Sequence, residues 1–194
     1  MRYTRRMATL LAYEVDEAEG LAPARFTAER FLAMCDMGAF GDDKVELVNG
    51  EIFTVSPPGW THARLQVRLS VLLESALAGT GMLTGAETGS ILGPSTVRGF
   101  DVVVVCSDPG PGRLDPAIVA LAVEIADTTL ERDLVIKARE YAVAGIPHYW
   151  VVDVRSRTVH AMSRPGKLGY NHNIEIGFDE PLPVPGTDRT ITLG

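Results

Sequence analysis

Cysteine is scarce in this chain of 194 residues, and its scarcity limits the available chemistry. The two cysteines, Cys35 and Cys106, do not have the spacing of a metal site or a redox pair. We expect both to be reduced thiols that are mostly buried. No serine or cysteine stands in a G-x-S-x-G segment, so a hydrolase with a covalent nucleophile is not indicated.

Long hydrophobic runs are also missing. No apolar stretch approaches the ~18 residues of a membrane-spanning helix, so no membrane partner is expected. Residues 7–13 (MATLLAY) follow Arg5 and Arg6 in the manner of a signal peptide. However, Glu14 ends the apolar part early and no small-residue cleavage site follows. These features favour a cytoplasmic protein.

An excess of positive charge is the third absence. The formal net charge is −7 and the sequence pI is near 5.1. This balance argues against a general nucleic-acid binder, which usually carries a basic surface. It does not exclude a nuclease, because a metal ion supplies positive charge locally and one basic face can persist on an acidic protein.

The chain has the composition of an ordinary globular protein, with 46% hydrophobic and 22% charged residues. Its length suggests one domain with a sizeable core. Residues 1–24 lack clear periodicity and are interpreted as an N-terminal arm, and residues 25–194 as a single domain.

Periodicity and turn residues predict that helices and strands intermix along this domain. The predicted helices span 28–37 with Thr27 as the N-cap, 61–78 and 130–144. The predicted strands flank the Asn49-Gly50 turn within 44–55 and continue at 82–92, 101–106, 117–126, 148–154 and 158–162, with one more short edge strand in 181–193. The expected fold class is α/β, with a central mixed β-sheet flanked by helices.

Glu124 is the most informative residue. It stands in the run 117–126 (AIVALAVEIA), in which every other residue is apolar. Such a run is typical of a strand buried on both faces, where an unpaired carboxylate is strongly disfavoured. Glu124 therefore needs a proton, a basic side chain or a metal ion. Asp101 has a similar setting at the start of the run 101–106, so two acids are expected at buried strands.

Lys137 completes this set from the predicted helix 130–144. At about 100° per residue, it projects within roughly 40° of Leu130 and Tyr141, at the border of the buried face. Arg132 and Arg139 point to the opposite side. Two acids and one lysine are a minimal set for metal-assisted phosphodiester cleavage.

Three segments resemble one known family. They are 45–65 (VELVNGEIFTVSPPGWTHARL), 98–105 (RGFDVVVV) and 123–154 (VEIADTTLERDLVIKAREYAVAGIPHYWVVDV). They resemble blocks of the Uma-two family, restriction-endonuclease-like proteins of the PD-(D/E)XK nuclease superfamily. The resemblance covers roughly residues 26–163 and implies a restriction-endonuclease-like fold.

The resemblance also implies roles for individual residues. Asp101 and Glu124 would bind the metal. The lysine that usually follows two positions after the second acid is replaced here by Ala126, and Lys137 occupies the place that this family uses instead. The implied cofactor is Mg²⁺, with Mn²⁺ as a substitute, and the implied partner is a DNA substrate.

Two further candidates match the first block of the family. Glu46 matches an acid that would bind a metal ion or a water molecule, and His62 matches a histidine near the first long helix. Phe100 departs from the family, which commonly has proline before the metal-binding aspartate. A homodimer is a possible assembly.

Each candidate also has a structural interpretation without catalysis. Asp101 can cap a backbone group, and Glu124 can pair with Lys137 or an arginine. Lys137 can instead extend its amine to the surface or form a surface i,i+4 pair with Asp133. Glu46 can face solvent on the hairpin, and His62 can make a structural hydrogen bond. For the whole chain, the alternative to a Mg²⁺-dependent DNA endonuclease is a catalytically inert nucleic-acid-binding or protein-interaction module on the same fold.

Overall fold

A sheet of eight strands organises residues 22–194, the part of the chain that the structure, a computed structural model, describes. Its strands are β1 (Val45–Val48), β2 (Glu51–Thr54), β3 (Leu83–Gly93), β4 (Thr96–Val105), β5 (Val119–Ala126), β6 (His148–Asp153), β7 (Thr158–Gly166) and β8 (Gly169–Gly177). The order in space is β2-β1-β4-β5-β6-β7-β8, and β3 pairs with β4 outside this path. Only β5 and β6 are parallel neighbours, so the predicted mixed sheet is confirmed.

The helices flank this sheet near their predicted positions. They are α1 (Ala28–Asp36), α2 (Trp60–Leu77), α3 (Leu130–Arg132) and α4 (Ala138–Val143). Thr27 caps α1 as expected, because its hydroxyl oxygen accepts a hydrogen bond from the backbone N–H of Arg30 at 3.3 Å. A π turn at Asp133–Lys137 joins α3 to α4, and together they form a composite helix over residues 130–143. Sequence periodicity gave no sign of this turn.

Two hydrophobic cores lie on opposite faces of the sheet. One core packs α2 against the sheet through residues that include Leu69, Leu73, Val102, Val123 and Trp150. The other packs the composite helix against the sheet through residues that include Phe100, Ala122, Tyr141, Tyr149 and Val151. β5 contributes to both cores, which confirms that the strand of Glu124 is buried on both faces.

The sheet forks at the middle of β4. β3 pairs along one edge of β4, from Gly93↔Thr96 to Leu83↔Val105. The other edge is divided, because β1 pairs only at Leu47↔Val97 and β5 pairs only from Val102↔Val123 onward. Residues 98–101 therefore have no strand neighbour on that edge, and their polar groups are open to side chains.

The C-terminal part differs from expectation. β8 was not predicted, because GYNHNIEIG has only three apolar side chains among polar residues and glycines, and its middle residues are exposed. The segment predicted as one edge strand instead forms a separate two-stranded ribbon of β9 (Leu182–Pro183) and β10 (Thr190–Ile191). Its apolar residues Leu182, Val184 and Ile191 pack into the core on the α2 side.

Some predictions concern features outside the two cores. Cys106 is exposed and Cys35 is half-buried, so the expectation of mostly buried thiols is wrong. No helix within residues 22–194 is long and apolar enough to cross a membrane. The segment 7–13 and most of the proposed arm 1–24 lie outside the described residues.

Candidate active site

A cavity of about 640 Å³ opens at the fork in the sheet. All five candidate residues line it, although they come from four different elements and one turn. They are Glu46 on β1, His62 on α2, Asp101 on β4, Glu124 on β5 and Lys137 in the π turn. The fold therefore brings together residues that lie far apart in the sequence.

Asp101 and Glu124 come from neighbouring antiparallel strands. The last pair between these strands is Val102↔Val123, so Asp101 and Glu124 each lie one residue beyond it. Asp101 continues the pairing with its side chain, since its Oδ2 accepts a hydrogen bond from the backbone N–H of Ile125 at 2.7 Å. The fork thus directs the Asp101 carboxylate towards the strand that carries Glu124.

Two donors from the composite helix hold the Glu124 carboxylate. Lys137 Nζ donates to Oε2 at 2.7 Å, and the Tyr141 hydroxyl donates to Oε1 at 2.5 Å. Glu124 is only 3% exposed. Burial raises the pKa of Glu124 to about 8, the charge of Lys137 opposes this rise, and the carboxylates of Asp101 and Asp133 add to it.

Lys137 lies deeper than the sequence suggested. It was placed at the border of the core, but only 4% of it is exposed. The π turn contains Lys137 and precedes the turn of Tyr141, and both residues reach Glu124. Burial alone would lower the pKa of Lys137, but the charges of Glu124 and Asp133 outweigh it and the pKa is raised. The charges of Glu124 and Asp133 therefore favour the protonated form of Lys137 within the cavity.

Asp133 supports this cation from one turn earlier. Its Oδ1 lies 3.8 Å from Lys137 Nζ and 3.6 Å from Arg132 Nε, and its Oδ2 accepts from the Thr129 hydroxyl. The predicted pair of Asp133 with Lys137 is therefore present, but it is buried rather than on the surface.

His62 contacts the other acid. Its Nε2 lies 3.0 Å from Asp101 Oδ2, and this hydrogen bond is the main reason that the pKa of His62 is raised. Burial tends to raise the pKa of Asp101, but the bonds from His62 and from the Ile125 N–H lower it overall. His62 Nδ1 is buried without a hydrogen-bond partner among the described residues. This nitrogen is therefore a buried polar atom whose hydrogen-bonding capacity is not used by the described residues.

Glu46 is buried rather than solvent-facing, which corrects one interpretation of the hairpin. Its Oε1 accepts from the backbone N–H of Gly99 at 3.0 Å, and its Oε2 accepts from Arg98 Nη1 at 2.9 Å. Arg98 also donates to both oxygens of Glu140, at 2.8 and 3.0 Å. Glu46 thus accepts a hydrogen bond from a backbone N–H of β4 that has no strand partner at the fork. Arg98 links β4 to β1 through Glu46 and to the composite helix through Glu140.

A polar cluster of Lys44, Gln66 and Glu87 beside this cavity was not predicted from the sequence. Gln66 Nε2 donates to Glu87 Oε1 at 2.7 Å and to the carbonyl oxygen of Asp101 at 2.9 Å, while Lys44 forms an ion pair with Glu87. Glu87 has a φ of +53°, in the left-handed region that non-glycine residues rarely adopt. No local signal marks such a residue in a sequence, because its conformation is imposed by the strands and side chains around it.

The electrostatic balance of the cavity favours a bound cation. Its lining contains six carboxylates and four lysine or arginine side chains. A phosphate would meet a net negative site when the carboxylates are ionised. Within residues 22–194 no three His, Cys, Asp or Glu side chains are clustered as a complete metal site. Mg²⁺ does not require one, because it is usually held by one or two carboxylates, with water and substrate phosphate as the other ligands. The pair Asp101 and Glu124 fits this type of site.

Comparison with known proteins agrees with the architecture. A solved structure from Anabaena variabilis ATCC 29413, described as a "putative nuclease belonging to DUF820", superposes with a TM-score of 0.65 at 16% sequence identity. The match covers 87% of this chain and 95% of that chain. At this identity the likeness establishes the fold, which is a nuclease-like α/β fold. No curated protein matches the chain.

The family follows from the sequence. The Uma2 family, described as "Putative restriction endonuclease", matches residues 28–190, well over half of the chain. The chain belongs to this family, which confirms the resemblance inferred from residues 45–65, 98–105 and 123–154.

Proposed function

We propose that this protein is a Mg²⁺-dependent endonuclease that hydrolyses phosphodiester bonds in DNA. The observation that carries this proposal is the convergence of Asp101, Glu124 and Lys137 in one cavity at the fork. The family supplies a second line of support, because its description is that of a restriction endonuclease.

Asp101 and Glu124 would hold the metal ion, and Mn²⁺ would be an acceptable substitute. When bound, such an ion polarises the phosphate and lowers the pKa of a bound water molecule. The Glu124 carboxylate must be ionised to bind the ion, so its raised pKa makes binding compete with a proton. Glu46 has both oxygens occupied by Gly99 and Arg98, which favours a role in positioning β4.

Lys137 and His62 would act directly on the reacting groups. Lys137 is a fixed cation beside Glu124, and it would stabilise the negative charge that develops on the phosphate in the transition state. His62 is fixed by Asp101 through Nε2, and it would accept or donate a proton once its buried, unpartnered Nδ1 is reached by water or substrate.

One observation favours the alternative, an inert nucleic-acid-binding or protein-interaction module. Both oxygens of Glu124 are already bound, one by Lys137 and one by Tyr141. If this closed arrangement persists in the presence of metal, Glu124 serves only as the buried partner of a lysine.

A cleavage assay distinguishes the two functions. Supercoiled, linear and single-stranded DNA, and RNA, are incubated with the wild type in Mg²⁺, in Mn²⁺ and in chelator. Metal-dependent cleavage of DNA that is lost in Asp101→Asn and retained in Asp188→Asn supports the endonuclease, because Asp188 is an exposed residue with the same charge change. Absence of cleavage by the wild type on every substrate supports the inert module.

A further inference from the structure

A second cavity, of about 280 Å³, lies beside the first turns of α2. Its rim carries three arginines, Arg64, Arg68 and Arg157, and no Asp or Glu side chain lines it. The concentration of positive charge stands out in a chain whose formal net charge is −7. Guanidinium groups remain charged at all relevant pH values, and their planar set of N–H donors can bind phosphate with two hydrogen bonds.

These arginines are only partly neutralised by their neighbours. Arg157 lies 3.6 Å from Asp179, whose side chain is 80% exposed, so solvent screens the pair. Arg68 already donates to the main-chain oxygen of Gly194, so its guanidinium has other donors left for an anion. Arg64 is exposed and makes no ion pair within residues 22–194. The rim therefore retains a capacity to bind an anion.

The floor of the cavity is apolar. Leu65, Val154, Phe178 and Leu193 line it, and Phe178 is buried. The guanidinium carbon of Arg157 lies 5.1 Å from the centre of the Phe178 ring, so the ring holds this guanidinium at the wall. A site for a simple anion needs no apolar floor, and a site for an apolar peptide needs no cluster of arginines. A nucleotide combines a flat base with an anionic phosphate, and it suits both parts of the cavity.

This cavity adjoins the candidate active site. Thr61 lines the second cavity and the next residue, His62, lines the first. On the other side, the Val154 N–H donates to the Ala126 carbonyl oxygen at 3.0 Å. The two cavities therefore lie near the same N-terminal turn of α2, which a strand of nucleic acid would cross to reach both.

We propose that the arginine-rimmed cavity binds an unpaired nucleotide of the substrate strand, with its phosphate on Arg64 and Arg68 and its base against Arg157 and the apolar floor. This inference rests on the proposed function, in that the strand is the one cleaved at Asp101 and Glu124. A base inside a duplex cannot enter, since both of its faces are stacked on neighbouring bases. The protein therefore prefers strands with an unpaired segment.

Binding can be tested separately from cleavage by fluorescence anisotropy. All variants carry Asp101→Asn, so that cleavage does not consume the probe. The probes are a labelled single-stranded oligonucleotide, the same strand with an abasic position, and a blunt duplex. Arg64→Ala should weaken single-strand binding and reduce the slope of log K against log salt by about 0.7, the loss of one phosphate contact. Arg157→Lys keeps the charge but loses the planar group, and should weaken binding about fivefold with the slope unchanged.

Arg139→Ala is the matched control, because Arg139 is an exposed arginine on α4 that does not line the cavity. The inference is supported if this control binds like the parent, while the abasic strand loses the dependence on Arg157. The inference is wrong if Arg64→Ala and Arg139→Ala bind the single strand equally well, or if the duplex binds as tightly as the single strand. It is also wrong if the abasic strand binds as tightly as the intact strand, because the cavity would then bind only phosphate.

Cleavage is measured in parallel in proteins that retain Asp101. Metal-dependent cleavage without any effect of Arg64→Ala would leave the endonuclease intact and reject the nucleotide cavity. Absence of cleavage together with Arg64-dependent binding of single strands would reject the endonuclease and retain the cavity as a binding site.

Discussion

Glu124 binds a proton in competition with any metal ion, and this competition predicts a pH dependence. Burial raises the pKa of Glu124 from 4.5 to about 8. A raised pKa in the folded protein stabilises the fold below pH 4.5, and that contribution is lost as the pH rises towards 8. Ionised Glu124 binds Mg²⁺, so we expect Mg²⁺ to raise the melting temperature more at pH about 9 than at pH about 6.

Thermal melts with and without Mg²⁺ across this pH range test the expectation. Glu124→Gln cannot ionise at this position, so its small response to Mg²⁺ should be the same at both pH values. An equally large pH effect in wild type and Glu124→Gln would show that another group controls metal binding.

Lys137 is the second residue whose burial predicts a pH-dependent change in the free energy of unfolding. In Lys137→Met the Glu124 carboxylate loses its cation, and its pKa rises further because burial then acts with little opposition. The cost of an unpaired buried charge is about 3–5 kcal/mol, and it applies only when Glu124 is ionised. We expect the free energy of unfolding of Lys137→Met to fall below that of wild type, by an amount that grows as the pH rises.

Urea unfolding at several pH values measures this difference. Lys167→Met is the control, since Lys167 is exposed and should change stability little. Combining Lys137→Met with Glu124→Gln should remove the pH dependence. In cleavage assays Lys137→Met should lower turnover more than DNA binding, because the lysine acts on the transition state.

At the scale of elements, the hairpin of β1 and β2 depends on one side chain for much of its attachment. β1 pairs with β4 only at Leu47↔Val97, and Glu46 adds contacts to Arg98 and Gly99. Glu46→Gln removes one of the two carboxylates that pair with Arg98, and Glu140 still pairs with it, so the cost should be below the about 3–5 kcal/mol of a buried charge left without any partner. We expect amide hydrogens of β1 and β2 to exchange faster in this variant.

Glu51→Gln provides the control on the same hairpin. Its partner is Arg25, both side chains are about half exposed, and the effect should be at most ~1 kcal/mol. Burial tends to raise the pKa of Glu46, but Lys137, the Gly99 N–H and Arg98 lower it overall. A lowered pKa gives stability that is lost as the pH falls, so Glu46→Gln should also lose part of the acid sensitivity of the wild type. Unchanged exchange in β1 and β2 would assign the attachment to the apolar contacts of Leu47.

Sequence patterns predicted the positions of most helices and strands, but not the irregular turns within them. The hairpin was predictable because Asn49 and Gly50 both adopt positive φ, as a two-residue turn requires. The composite helix was predictable in extent, but its π turn was not. Lys137 in this turn contacts Glu124 on β5, and no local pattern shows a contact between segments so far apart in the chain. β8 was missed because its few apolar residues, Tyr170, Ile174 and Ile176, are separated by polar residues that gave only a weak strand pattern.

For the site, the types of residue were easier to predict than their partners. Glu124 was conspicuous because a carboxylate interrupts an apolar run. Tyr141, Arg98 and Gln66 are common residue types in positions without a distinctive pattern, and their contacts arise only when the fork brings distant segments together. The catalytic roles of Asp101, Glu124, Lys137, Glu46 and His62 stay predictions.

For the whole molecule, we expect metal binding to increase the stability of the folded protein. A ligand that binds only the folded protein stabilises it by about 2.7 kcal/mol at a concentration 100-fold above Kd. We expect Mg²⁺ to raise the melting temperature of the wild type, and Asp101→Asn to abolish the rise. Asp188→Asn, which makes the same charge change at an exposed position, should respond like the wild type.

Calorimetry or fluorescence melts over a Mg²⁺ titration provide the measurement. An equal rise in Asp101→Asn would place the ion elsewhere on this acidic protein, whose net charge of −7 attracts cations without specificity.

The fork in the sheet also bears on the time course of folding. The β3–β4 hairpin and the β6–β7–β8 meander connect neighbouring segments, whereas β1 meets β4, and β5 meets β6, only after long stretches of chain have closed. Closing long loops costs entropy before any contact offsets it, so such pairings form slowly. Because the cavity lies between these late junctions, we expect a refolding chain to regain its helix signal before it regains metal binding.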